Sequence, residues 1–345
     1  MPVEAVQKQV TATAPGPWPG TDALEAQRII RGELGSPHLP FLPELPDRGV
    51  GSDPLGRTAS LLVELAVDVQ PHGWRLVDRP GKDQRRATSA LASDINVLAD
   101  VAGSEEVSAE ALKIQLRGPM SLAAGLYLHN GERALLDFGA RRDIVDSLAA
   151  GVADHVSRVS AAVPGAAVVV QLDEPDISAI LAGTIPTASG YRTLRAIPGE
   201  EVTSAWHTVV DGLRAAGVAE VVVSVPEIEA PIQRILASGA DGIAVPLKAL
   251  TTRQWEQIAG AVEAGKTLWA GALPTNDPSA RLPRTSDVVD TVWRPWRQLG
   301  LPPSSLGAVR VTPSDGLAGY SPSGAKEVLT RLTQLADGLN QLALG

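Results

Sequence analysis

The chain has 345 residues, a formal net charge of −9, 44% apolar residues, 20% charged residues and only 3% aromatics. That length admits one large domain or two modest ones, and the core has to be aliphatic. Zero cysteines exclude disulfides, thiolate nucleophiles and sulfur-ligated metals, and charges interspersed along the chain argue against a nucleic-acid groove, which needs clustered cations.

Met1 to Val10 is polar and has no apolar h-region, so no signal peptide is expected, and no stretch approaches the ~20 apolar residues of a membrane span. A cytoplasmic protein with no membrane or nucleic-acid partner is the expectation. Val10–Ala14 predicts a first strand that opens into Gly16-Pro17-Trp18-Pro19-Gly20-Thr21-Asp22. Asp22 and Glu25 have capping-box spacing for a helix, with Gly32 as its stop. The Pro- and Gly-rich stretch from Pro37 to Pro54 reads as a long ordered loop. The region Leu61 to Asp78 is expected to supply one strand, followed by strands at Leu112–Leu116 and Ala167–Leu172. The basic pairs Arg85-Arg86 and Arg141-Arg142 read as solvated helix faces. Ile144, Leu148, Val152, Val156 and Val159 recur at spacings of four and three and form the buried stripe of a helix. Trp206, Val210 and Leu213 do the same before a strand at Glu220–Val225, and further strands are expected at Gly242–Val245, Thr267–Leu273 and Ala308–Val311. Short apolar runs alternating with helices indicate βαβ units around a parallel sheet. The expected fold is α/β, a single (β/α)8 TIM barrel spanning residues 1–345.

Barrels of this type place their chemistry at the C-terminal ends of the strands. Asp173-Glu174-Pro175 follows one run, Pro226-Glu227 another, Pro246-Leu247 a third, Pro274-Thr275-Asn276-Asp277 a fourth, and Thr312-Pro313-Ser314-Asp315-Gly316-Leu317 the last. Asp173 and Glu174 are the leading candidates, because adjacent carboxylates can hold an ammonium group or work as acid and base. The competing reading makes Asp173 a loop cap and gives Glu174 an arginine partner such as Arg117. His38, His72, His129, His155 and His207 share none of the spacings of a two-histidine metal site. A hard cation would have to rely on Asp173, Glu174, Glu227 and Asp315.

The segments Gly16–Asp22, Gln171–Pro175 and Thr312–Leu317, in that order, resemble the catalytic half of cobalamin-independent methionine synthase, nearest to its short, single-domain actinobacterial members. Leu39 to Val69, with its Leu-Pro-Glu-Leu-Pro-x-Arg-Gly run and Gly56-Arg57-Thr58, is similar as well. The resemblance implies a barrel of the methionine synthase and uroporphyrinogen decarboxylase type, acting in methionine biosynthesis by moving a methyl group from 5-methyltetrahydrofolate to homocysteine sulfur on zinc. That family's zinc ligands are His and Cys near the fifth strand end, Glu after the sixth and Cys after the eighth. Here those places hold Ser224 and Pro226, then Pro246, then Asp315, so no zinc is expected and zinc-assisted methyl transfer is expected to be lost. The family's first-strand Gly-Ser reads Gly16-Pro17, which removes a hydroxyl and an N–H. The resemblance carries amine recognition onto Asp173 and onto Glu44, with Asp53 as a rival, and gives Trp18 the role of an apolar wall. Substrate-binding candidates are thus Trp18, Glu44, Asp53, Asp173, Glu174 and Ser224, and the candidate catalytic pair is Asp173 and Asp315.

Three functions are open at this point. One is a zinc-independent methyltransferase with a folate-type donor, in which Asp173 and Asp315 orient the nucleophile. Another is a binder of an amino-acid or folate-like metabolite, and the third is a structural or partner-binding barrel with a vestigial pocket. A metal-free decarboxylase would need an arginine-lined cleft, for which Arg31 and Arg48 are too scattered. The expected partner is a small molecule, and the oligomeric state is not encoded legibly.

Overall fold

The computed structural model describes residues 9–226 and 228–344; Glu227, Gly345 and Met1 to Lys8, most of the segment in which no signal peptide is expected, lie outside the described residues. In chain order the elements are β1 (Thr11–Ala12), α1 (Ala23–Glu33), α2 (Pro54–Ala59), β2 (Ala66–Gln70), β3 (Gly73–Val77), α3 (Lys82–Gly103), β4 (Ala111–Arg117), α4 (Pro119–Gly125), α5 (Phe138–Ala162), β5 (Ala167–Asp173), α6 (Ile177–Ala182), α7 (Gly199–Ala215), β6 (Glu220–Ser224), α8 (Ile232–Ala237), β7 (Gly242–Pro246), α9 (Thr252–Glu263), β8 (Thr267–Leu273), α10 (Thr285–Gln298), β9 (Val309–Pro313) and α11 (Pro322–Ala343). Seven of the strands form one curled parallel sheet in the order β1-β9-β8-β7-β6-β5-β4. No helix among the described residues is long and apolar enough to cross a membrane.

The first helix starts where the sequence places it. Asp22 accepts from the Leu24 and Glu25 N–H groups at 2.9 and 3.1 Å and opens α1. The helix runs through Gly32 to Glu33 rather than stopping at the glycine. In α5 the stripe Ile144, Leu148, Val152, Val156 and Val159 is fully buried. Arg141 on the same helix is buried too, not solvated, because Glu201 of α7 accepts from its Nε at 2.5 Å. An outer core between sheet and helices extends from Val10 to Leu339. The concave face encloses its own small core of Leu39, Val169, Val222, Ala244 and Trp269.

The region Leu61 to Asp78 contributes no strand to this sheet. It forms the antiparallel hairpin β2–β3, paired from Ala66 with Val77 to Gln70 with Gly73. The reason is local: only Pro71 and His72 separate the two strands, and Gly73 takes φ 124°. So short a connection reverses the chain, whereas a parallel neighbour needs a crossover of a dozen or more residues. The segment leading into the hairpin packs on α5, where Ser147 Oγ donates to the Val63 carbonyl at 2.6 Å and Gly151 faces the Leu61 carbonyl.

The stretch read as a loop from Pro37 to Pro54 instead runs along both edges of the sheet. On the β1 side Leu39 N–H donates to Ala12 O at 2.9 Å, Glu44 N–H to Gly16 O at 2.9 Å and Trp18 N–H to Glu44 O at 2.8 Å. On the β4 side Lys113 N–H donates to Pro40 O at 2.8 Å and Leu42 N–H to Lys113 O at 2.9 Å. The proline spacing disguised extended backbone, because Pro40 and Pro43 lack N–H groups while their neighbours donate normally.

Candidate functional site

Alternation along β4 and β5 builds a polar interior at the C-terminal half of the sheet. Successive side chains on a strand point to opposite faces. Val169 belongs to the inner core, so Gln171 and Asp173 share its face. Register pairs Val169 with Lys113, Gln171 with Gln115 and Asp173 with Arg117. Lys113 Nζ donates to Gln171 Oε1 at 3.1 Å and to Gln115 Oε1 at 3.3 Å, and lies 5.1 Å from the Phe41 ring centroid. Gln171 Nε2 in turn donates to Asp173 Oδ1 at 2.6 Å. A relay from the buried ammonium through one amide thus orients the Asp173 carboxylate at the mouth. Burial lowers the Lys113 pKa to about 8, while the charges of Asp173 and Glu44 act to raise it.

Glu44 stands at the same mouth, supplied by the edge-covering segment. It is 1% exposed, its Oε2 has no hydrogen-bond partner among the described residues, and its nearest cation is Arg57, 3.9 Å away. Burial raises its pKa to about 7; Arg57 acts to lower it and Asp173 to raise it further. Arg57 is itself held by Asp94, which also takes Arg48 at 2.7 Å, so α2 and α3 fix the guanidinium behind Glu44. Two carboxylates whose charges oppose each other, one with a free oxygen in a dry site, have the chemistry to accept a small cation.

The other candidates fall in different places. Glu174 is fully buried and makes no arginine pair among the described residues. It accepts from the Met120 N–H at 3.0 Å, the Ser121 N–H at 2.7 Å and the Trp206 indole at 2.7 Å, and burial pushes its pKa up while these donors and the Ser121 side chain act to lower it. It braces α4 and α7 against β5 and faces away from the mouth. Asp53 caps α2 by accepting from the Gly56 N–H at 2.8 Å. Trp18 is 1% exposed and packs on Phe41 with ring centroids 6.3 Å apart, inside the core. Ser224 ends β6 in register with Asp173, half-buried.

Asp315 follows β9 and is exposed; its Oδ2 accepts from Ser314 Oγ at 2.8 Å, and its backbone is tied to Thr275. It lines a cleft of 560 Å³ over the ends of β7, β8 and β9, with Pro246, Leu247, Lys248, Asn276 and Ser314. Lys113, Gln115, Arg57 and Gln171 were not among the sequence candidates. For Lys113 and Gln115 the signal is the alternation Leu112-Lys113-Ile114-Gln115-Leu116-Arg117, which marks a strand with one polar face.

The positions at which the methionine synthase resemblance implies zinc hold Ser224 and Pro226, Pro246, and Asp315. Only Asp315 offers a conventional metal-binding atom, and zinc sites use three or four protein ligands. The residues do not fit zinc. Among the described residues no group of three or more His, Asp or Glu is placed to hold an ion.

No protein-family model matches the chain, and no curated protein is detectably similar to it in sequence. Solved structures similar in outline include a GH18 chitinase from Pseudoalteromonas aurantia, 15% identical over 83% of this chain and 96% of that one, with a TM-score of 0.40. The carboxyl transferase domain of Rhizobium etli pyruvate carboxylase with pyruvate and biocytin is 10% identical over 97% of this chain and 55% of its own, with a TM-score of 0.30. A glycerophosphodiester phosphodiesterase from Parabacteroides distasonis is 10% identical over 72% and 88% of the two chains, at 0.27.

Proposed function

We propose that the chain is a one-domain, methionine synthase-like barrel that has dispensed with zinc and binds an amino-acid or folate-like metabolite at its mouth by gripping an ammonium group between Glu44 and Asp173. In this reading the segment from Leu39 to Glu44 serves as the eighth stave between β1 and β4. The observation that carries the proposal is the buried Glu44 carboxyl, whose Oε2 is unpartnered beside a second carboxylate. A ligand ammonium supplies the missing donors and the missing charge together, whereas the donor set around the cleft offers a zinc-bound sulfur nothing to rest on. Asp173, held by Gln171, is the positioned partner, and Arg57 and Lys113 keep the two acids from repelling each other apart.

The test is calorimetric titration with homocysteine, methionine and 5-methyltetrahydrofolate, on the wild type and on Glu44→Gln and Asp173→Asn. Charge-assisted hydrogen bonds contribute ~1.5–3 kcal/mol, so each variant is expected to weaken an amine ligand roughly 10- to 100-fold. The pH dependence has a definite sign. Glu44 titrates near 7, so below that it is protonated and offers no charge, and affinity is expected to rise with pH through about 7 and then level off. Affinity unchanged in both variants and a flat profile across this range would overturn the reading. Conversion of the folate donor with any of these acceptors would show that methyl transfer survives on the same site.

A further inference from the structure

The cleft over β7, β8 and β9 is not used by the ammonium grip, yet it opens from the same end of the sheet. Strands in a sheet lie about 4.8 Å apart, so the end of β7 is roughly 10 Å from Asp173 on β5, within the span of an extended amino acid of moderate length. Its volume is 560 Å³. The floor is apolar and closely built: Pro246 ends β7 and Leu247 follows it, and a Cβ on Gly271 would stand 2.8 Å from Pro246 Cα. Lys248 is the one cation that lines it and has no ion pair among the described residues. Asn276 and Ser314 add hydrogen-bonding groups, and the carboxylate of Asp315 lines the cleft too without reaching the lysine. Lys248 and Asn276 are exposed at the rim and Ser314 is half-buried, so the polar groups stand at the edge of an apolar floor, an arrangement that can take a chain ending in an anion.

We propose that this cleft is a second subsite, in which Lys248 takes a carboxylate of the ligand while Asn276 and Ser314 orient it. The inference rests on the reading of Glu44 and Asp173 as the ammonium grip and narrows the substrate class to amino compounds with a carboxylate about two strand spacings from the nitrogen. Lys248 is the specificity-determining residue. Asp315 opposes the anion and limits its affinity.

The experiment uses the full chain and three probes: glutarate, 6-aminohexanoate and hexylamine, followed by calorimetry and by ligand-observed NMR. Lys248→Gln is expected to weaken glutarate and 6-aminohexanoate about tenfold and to leave hexylamine unchanged. Asp315→Asn is expected to tighten both carboxylates severalfold. Glu44→Gln weakens hexylamine and 6-aminohexanoate but not glutarate, so the two ends of the site report separately. Glutarate that binds equally to wild type and Lys248→Gln, or does not bind at all, overturns the subsite. Failure of hexylamine alone to bind the wild type sinks the ammonium grip instead.

Discussion

Replacing Glu174 with alanine is expected to lower the unfolding free energy by roughly 3–6 kcal/mol, at ~1–2 kcal/mol for each buried donor left unpaired. Three donors lose their acceptor at once: the Met120 and Ser121 backbone N–H groups and the Trp206 indole, all packed where water does not reach. The space around the carboxyl is already filled, since a Cβ on Gly118 would stand 2.4 Å from the Glu174 carboxyl carbon. Part of the loss is offset because a buried carboxyl, held above its usual pKa, no longer has to be desolvated. Domains of this kind are stable by only ~5–15 kcal/mol, so the variant is expected to unfold at markedly lower urea concentration. A shift of less than about 1 kcal/mol in urea titration would show that Glu174 is not the brace described.

Gly151→Ala is expected to destabilise by about 3 kcal/mol, at the upper end of what one extra methyl costs in a packed interface. The sign is informative. On an exposed helix face alanine is better than glycine by about 1 kcal/mol, so the same change elsewhere should stabilise. At Gly151 the added Cβ would lie 1.9 Å from the Leu61 carbonyl oxygen, and Ser147, one turn earlier, already holds the Val63 carbonyl. Gly260 in α9 has nothing within 4 Å of its would-be Cβ and serves as the control, with a small gain expected. If both substitutions raise the melting temperature, the chain from Leu61 to Val63 does not pack on α5.

That contact also explains where the sequence was readable and where it was not. The start of α1, the buried face of α5 and the seven parallel strands follow from Asp22, from the stripe on α5 and from short apolar runs, all of which are decided within a few residues. The strand expected between Leu61 and Asp78 is absent from the sheet because two segments trade appearances. Ala66 to Val77 has the β-rich composition of a sheet strand, but Pro71-His72 turns it back on itself. Leu39 to Glu44 has the prolines of a loop, but its carbonyls and remaining N–H groups meet β1 and β4, a fact that only the three-dimensional pairing reveals. Of the residues that meet at the C-terminal end of the sheet, Asp173 is legible as a carboxylate at a strand end, and Glu44 only through the family resemblance. The opposite fate of Glu174 is not legible, since one residue past the strand end its direction depends on Trp206, 32 residues away. Lys113 was hidden by counting its strand as an apolar run; reading alternate residues separately exposes the polar face that it shares with Gln115 and Arg117.

An open parallel sheet carries two rows of unsatisfied backbone groups, and such rows recruit further strands from other molecules. Here both rows are covered by one stretch that cannot propagate the pairing, because Pro40 and Pro43 have no hydrogen to offer a newcomer. The same half-dozen residues carry Glu44, so substitutions that loosen this stretch are expected to lower solubility and, if Glu44 grips a ligand as proposed, its affinity as well.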